Sequence, residues 1–193
     1  YNAGTSLAYS VDNLALAGTD AANYRLAAGA TVNGNNGTIT AKSITLNPQS
    51  VTKTYDGAST YTASSADLAA LSALLGVSGD TVSAATLAFA DKNVGSNKTL
   101  TVTAATIADG NGGNNYTVTL GANSTSAITR LNSVTWVGGA SGNWFDPANW
   151  AGGAVPDLAN VANVVIPTGV TVSFDSTVVA PAQIGAVNID GLT

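Results

Sequence analysis

The chain repeats itself. Asn2-Ala3-Gly4 recurs as Asn93-Val94-Gly95, Tyr9 and Val11 as Leu100 and Val102, and Leu16 as Ile107. Asn23-Tyr24-Arg25-Leu26 recurs as Asn115-Tyr116-Thr117-Val118, after one inserted residue in the intervening turn. Thr38-Ile39-Thr40 recurs as Ala127-Ile128-Thr129. Self-similarity of this kind marks a supersecondary unit used more than once, so one account of the unit must serve both copies. Residues 1–41 then read as the C-terminal half of a unit, residues 42–130 as a complete copy, and residues 131–193 as something different.

Local patterns say what the unit is made of. Leu7, Tyr9 and Val11 alternate, which predicts a strand with one buried face. Ile44, Leu46 and Val51 lead into Lys53-Thr54-Tyr55-Asp56-Gly57, where Asp-Gly is turn chemistry and Tyr55 is expected to be a buried anchor. Residues 66–76 form the only helical stretch. Leu68, Leu71, Leu74 and Leu75 share a face, Ser64, Ser65 and Asp67 are N-cap candidates, and Gly76 stands where a helix is closed. Strands are expected again at Thr81-Val82, Leu87–Phe89, Thr99–Thr103 and Tyr116–Leu120. Short strands with turns every ten or so residues predict a sandwich.

Composition agrees. Charged residues make up 9% of the chain, against roughly 25% in ordinary globular proteins. All acids are Asp, and His, Cys and Met are absent. Thr, Ser, Asn, Gly, Ala and Val take their place, and these favour strands and turns over surface helices. The predicted class is all-β: tandem Ig-like β-sandwich modules with one short helix, then a Trp-rich β unit that is either a sandwich or the start of a β-solenoid.

KTYDG, the Ala/Leu helix, Gly79-Asp80-x-Val82, FADKNVG at 89–95, the Thr-rich strand, NNYT at 114–117 and a closing Ala-Ile-Thr resemble the YDG/MBG-type repeat modules. Such modules occur in large secreted bacterial adhesins of the filamentous-haemagglutinin, two-partner-secretion kind. The resemblance implies β-sandwich beads in a surface fibre, an extracellular or outer-membrane-surface location, and no catalytic activity. Absence of Cys suits a chain exported unfolded through an oxidising periplasm.

Residues 131–193 hold all three tryptophans: Trp136, Trp144 and Trp150. Trp136-x-Gly138-Gly139 and Gly142-Asn143-Trp144, then Asn149-Trp150, are similar to a segment of many bacterial surface and autotransporter-like proteins. Strands are expected at Val164–Pro167, Val170–Asp175 and Ile184–Gly191, in a unit that reads as truncated. Two readings of the tryptophans stand. Planar aromatics beside Asn143 and Asn149 suit the faces and hydroxyls of a sugar. Equally, a small Gly-rich unit needs large apolar side chains for its core.

Other chemistry is thin. Asp109, Asn111 and Asn114 offer hard oxygen ligands, so calcium is one reading and an Asx-rich turn the other. Lys53, Lys92 and Lys98 near Asp and Asn raise a Lys–Asn isopeptide crosslink, against ordinary pairing of Lys53 with Asp56 and Lys92 with Asp91. Without His or Cys the usual nucleophilic triads and dyads cannot form. Asp146 and Asp157 are the only carboxylate pair near the tryptophans, and turn roles account for them as well. A net charge of −5 disfavours nucleic acid, and no apolar run is long enough to insert in a membrane. The expected function is a stalk or sub-terminal segment of an adhesin, in cell adhesion or biofilm, with neighbouring modules of the same chain as partners and no required cofactor. The alternative is a module that binds exopolysaccharide or host glycan through its tryptophans.

Overall fold

A computed structural model describes residues 1–157, 159–175 and 187–189. Residues 1–41 form a hairpin of β1 (Gly4–Val11) and β2 (Val32–Ile39), joined by a loop with a short 3₁₀ turn at Ala21–Asn23. The complete unit contains β3 (Lys42–Leu46), β4 (Thr52–Thr54), β5 (Thr60–Thr62), α1 (Ser65–Ala73), β6 (Thr81–Phe89), β7 (Gly95–Ala108), β8 (Tyr116–Leu120) and β9 (Ala122–Thr129). One sheet has the order β4-β9-β7-β6-β5, and β3 and β8 form a second. Ile44 and Leu46 of β3, Leu71 and Leu75 at the end of α1, and Leu87, Leu100, Val102 and Ile128 of the larger sheet share one buried core. The all-β class with a single short helix is what the structure shows.

α1 starts and stops for local reasons. The Ser64 hydroxyl accepts from the Asp67 backbone N–H, and the Asp67 carboxylate accepts from the Ser64 N–H at 2.9 Å, closing a capping box. Gly76, just past the end, has φ +62°. Leu71 and Leu75 are buried and Leu68 partly so, but Leu74 is exposed, a correction to the expected four-leucine face. Leu74 is the C-cap of α1 and, at about 100° per residue, stands well round the axis from Leu68 and Leu75, off the core-facing stripe.

The repeat is real in three dimensions. In the hairpin Gly4 pairs with Ile39, Leu7 with Gly37, Tyr9 with Gly34 and Ser10 with Asn33. In the complete unit Gly95 pairs with Ile128, Lys98 with Ser126, Leu100 with Asn123 and Thr101 with Ala122. Both ladders break their register at the same two steps, and the residue at the bulge has positive φ in both, Ser6 at 56° and Asn97 at 52°. β1–β2 is therefore the counterpart of β7–β9. The predicted buried face is not buried, however: none of residues 1–41 lies in the core. The residues that cover the equivalent face in the complete unit belong to its first half.

The complete unit mixes parallel and antiparallel pairing. β3 runs parallel to β8 and β4 parallel to β9, while β5–β6, β6–β7 and β7–β9 are antiparallel. The strands that open the unit thus lie alongside the strands that close it.

The last unit is built from stacked parallel strands. β10 (Leu131–Thr135), β12 (Val161–Ile166) and β14 (Val187–Ile189) form one sheet, and β11 (Ser141–Asn143) and β13 (Thr171–Ser173) a second. Leu131 faces Val161 and Ser141 faces Thr171, the same 30-residue step in both sheets. Val164 faces Val187 after a step of 23 residues, so the coil length varies, but strands stacked in parallel in both sheets fit the expected solenoid start rather than a sandwich. Of the segment expected as the final strand, Ile184, Gly185, Ala186, Asp190 and Gly191 lie outside the described residues.

Candidate functional site

The Lys53–Gly57 turn is held by its own side chains. Gly57 sits at φ +80°, which favours glycine. The Asp56 carboxylate accepts from the Ala58 N–H at 2.9 Å and from Lys53 Nζ at 2.7 Å. Lys53 Nζ also donates to the carbonyls of Ala58 and Thr60, and it lies 5.8 Å from the centre of the Phe89 ring. The side chain is almost wholly buried, but its partners are a carboxylate and carbonyls. No side-chain amide is among them, so the geometry does not supply the Asn that an isopeptide bond needs. Lys98, not Lys92, pairs with Asp91, at 2.6 Å, because β7 carries Lys98 back past the Asp91 turn.

The turn does not face solvent. Tyr55 is buried and its hydroxyl donates to the carbonyl of Val155. A Cβ placed on Gly57 would lie 2.8 Å from the carbonyl oxygen of Gly153. Burial, and then the negative charges of Asp157 and Asp56, raise the Tyr55 hydroxyl above its ordinary range and keep it a donor. Nearby, Asn160 is buried with all of its polar atoms used. Its Oδ1 accepts from the Val94 N–H at 2.7 Å, and its Nδ2 donates to Asn93 Oδ1 and Asp157 Oδ2. Two segments of the complete unit, 55–57 and 93–94, are thereby tied to residues 153–160. Between β9 and β10 stands one residue, Arg130, whose guanidinium donates to the Val161 carbonyl.

Residues 40–127 match the YDG domain family. The match covers all but the last three residues of the complete unit and takes in nearly all of the motif set that suggested it. No curated protein and no solved structure matches the chain. The YDG domain thus has its namesake turn plugged into the unit that follows it, and the two share one continuous hydrophobic core.

The tryptophans belong to that core. Trp136, Trp144 and Trp150 are each at most 3% exposed. Trp150 meets Trp136 edge-to-face at 5.1 Å and Trp144 at 4.7 Å, and Trp144 stacks on Phe174 at 4.9 Å. Each indole N–H has a carbonyl partner: Gly139 for Trp136, Pro156 for Trp144 and Trp144 for Trp150. The expected sugar platform is corrected here, because the ring faces are taken up by one another. Asn143 and Asn149 are likewise spent inside. Asn149 Nδ2 donates to the Asn143 carbonyl, and Asn143 Oδ1 accepts from the Phe145 N–H. Asn149 also lies so close to Gly138 and Gly142 that neither could carry a Cβ without displacing it, which explains why those two positions of the motif are glycine.

The other expected sites resolve into turns. The Asp109 carboxylate accepts from the backbone N–H groups of Asn111, Gly113 and Asn115. Desolvation opposes its ionisation, but these donors hold it below the usual carboxylate range. Asn111 Nδ2 donates to Asn115 Oδ1 and Asn114 Nδ2 to the Asn111 carbonyl. The loop has the form of the Asx-rich turn, one of the two readings of Asp109, Asn111 and Asn114, closed by hydrogen bonds of its own. Among the described residues no group of three or more His, Cys, Asp or Glu could hold a metal. Asp146 accepts from the Ala148 N–H and Asp157 from the N–H groups of Ala159 and Asn160, both in turn roles. Asn160 escaped the sequence reading. Its only signal is its place three residues after Asp157, which also describes many ordinary turns.

Proposed function

We propose that the chain is a load-bearing segment of a large bacterial cell-surface or secreted adhesin, serving as a stalk or sub-terminal piece in cell adhesion or biofilm. In this reading it carries no catalytic chemistry, and its partners are neighbouring modules. The parallel pairing of β3 with β8 and of β4 with β9 carries the proposal. Tension applied at the two ends of a YDG domain pulls parallel neighbours in opposite directions along their length. All the bonds of a ladder are then loaded together, in shear. Five residue pairs from Lys42–Tyr116 to Leu46–Leu120 make up the first clamp. The near-absence of linker after β9 and the bonds from Tyr55 and Asn160 favour a joint that transmits force rather than flexes. Low charge and hydroxyl-rich outer faces suit a long, soluble, exported fibre.

Single-molecule stretching tests this. With no native cysteine, attachment cysteines can be placed at will. Pulling between positions 42 and 130 should require a clearly higher unfolding force than pulling between 81 and 108. Thr81 and Ala108 are paired at the open end of the β6–β7 hairpin, where bonds break one at a time. Equal forces in the two geometries would remove the load-bearing reading.

A further inference from the structure

The β1–β2 hairpin matches β7–β9 pair for pair, yet its surroundings differ. Tyr9 is 43% exposed where Leu100 is 0%, Ile39 is 41% where Ile128 is 1%, and Tyr24 is 71% where Tyr116 is 7%. Val11 and Leu16 are exposed where Val102 and Ile107 are buried. The difference is confined to one face. Leu26 and its counterpart Val118 are exposed alike. The exposed positions are therefore those whose counterparts are covered by the first half of the YDG domain.

The complete copy also says what does the covering. β6 lies beside β7, placing Phe89 opposite Leu100, Leu87 opposite Val102 and Val82 opposite Ile107. β4 lies beside β9, with Lys53 opposite Ile128. β3 lies beside β8, with Lys42 opposite Tyr116, whose hydroxyl donates to Asp80 at 2.6 Å. Among the described residues both outer edges of the hairpin are open, with β1 and β2 paired to each other. The stretch at Tyr24, counterpart of the start of β8, is not a strand, since its parallel neighbour is missing. Unpaired edges beside an apolar face are a template for strand addition.

We propose that the β1–β2 hairpin is a docking surface for a strand–helix–strand segment of the kind formed by residues 42–89, which completes it into a second YDG domain. A β6-like strand adds antiparallel to β1, placing its aromatic beside Tyr9 and its leucine beside Val11. A β4-like strand adds parallel to β2, and a β3-like strand draws the Tyr24 stretch into a ladder. Completion of the hairpin stands whether or not the chain bears load.

The test is the full chain extended at its N-terminus by a second copy of residues 42–92. Amide exchange at Tyr9 and Val11 should slow by at least about tenfold, toward that of Leu100 and Val102. Leu87→Asp in the added copy alone should abolish the protection and leave the native YDG domain unchanged. Residues 42–92 supplied as a free peptide give a second readout, a one-to-one complex with the full chain that the same substitution prevents. Unchanged hairpin exchange together with no complex would overturn the proposal, and so would protection that survives Leu87→Asp. A native chain that dimerises with its hairpin protected would assign the face to a second copy and overturn it too.

Discussion

The hydroxyl of Tyr55 meets the carbonyl of Val155 at 3.2 Å, across one hundred residues of sequence. Tyr55 is therefore at once the anchor of the YDG turn and a strut into the solenoid unit. Tyr55→Phe keeps the ring and strands the Val155 carbonyl, so it should cost about 1 kcal/mol in urea unfolding. Tyr55→Ala also opens a cavity and should cost about 3–5 kcal/mol. Removal of residues 131–193 should leave the YDG domain folded, and in that shortened chain the Phe variant should cost nothing.

Asn160 offers an independent handle on the same joint. Asn160→Ala leaves the Val94 N–H without its acceptor, and a buried unpaired donor costs about 1–3 kcal/mol. Double-mutant analysis with Tyr55→Phe should show coupling, because both residues brace the same contact. Strict additivity would mean that the joint is two separate attachments.

Gly57 and Gly139 separate conformational strain from contact. Both have positive φ, 80° and 74°, but a Cβ on Gly139 meets nothing within 4 Å while one on Gly57 meets the Gly153 carbonyl. Each alanine variant bears a left-handed penalty of about 1–2 kcal/mol. Gly57→Ala should lose more, and the excess in melting temperature reports the tightness of the joint.

Tryptophan emission should be blue-shifted and unresponsive to acrylamide and to polysaccharides, since all three indoles are buried and hydrogen-bonded. Trp144→Ala should cost about 3–5 kcal/mol. Saturable quenching by a glycan in the folded native chain would return the sugar-binding reading to the solenoid unit.

Alkali should weaken the fold through Tyr116. Burial, and then the hydrogen bond and charge of Asp80, push its pKa from 10.0 up to about 12. The folded state holds the neutral phenol, so this contribution is complete below pH 10 and is lost as pH rises through about 12. Absorbance titration should show a late-ionising fraction of the tyrosines, and Asp80→Asn should bring the Tyr116 part of it earlier. Acid acts oppositely on Asp67, whose carboxyl is held below its ordinary range. Desolvation works against that shift, and the Ser64 hydroxyl and N–H and the Tyr61 hydroxyl outweigh it. Its contribution is present above its ordinary value of 3.8 and fades as pH falls below it.

Sequence by itself determined what is local or periodic. Ser64, Asp67 and Gly76 bound the helix by bonds within a few residues of themselves, and Asp56-Gly57 makes its turn the same way. The repeat was legible as well, and the structure added a bulge shared by Ser6 and Asn97, because similar sequences fold alike where their neighbours are their own. Tertiary structure alone decided the rest. β3 found β8 and β4 found β9 in parallel, although a strand's sequence carries no mark of its partner's direction. Trp144 became core rather than platform because Phe174, Trp150 and Pro156 came to surround it. Tyr24 and Tyr116 occupy the same place in the repeat, yet one is exposed and the other buried on Asp80. Burial belongs to the company a residue keeps, and that company is assembled from the far ends of the chain.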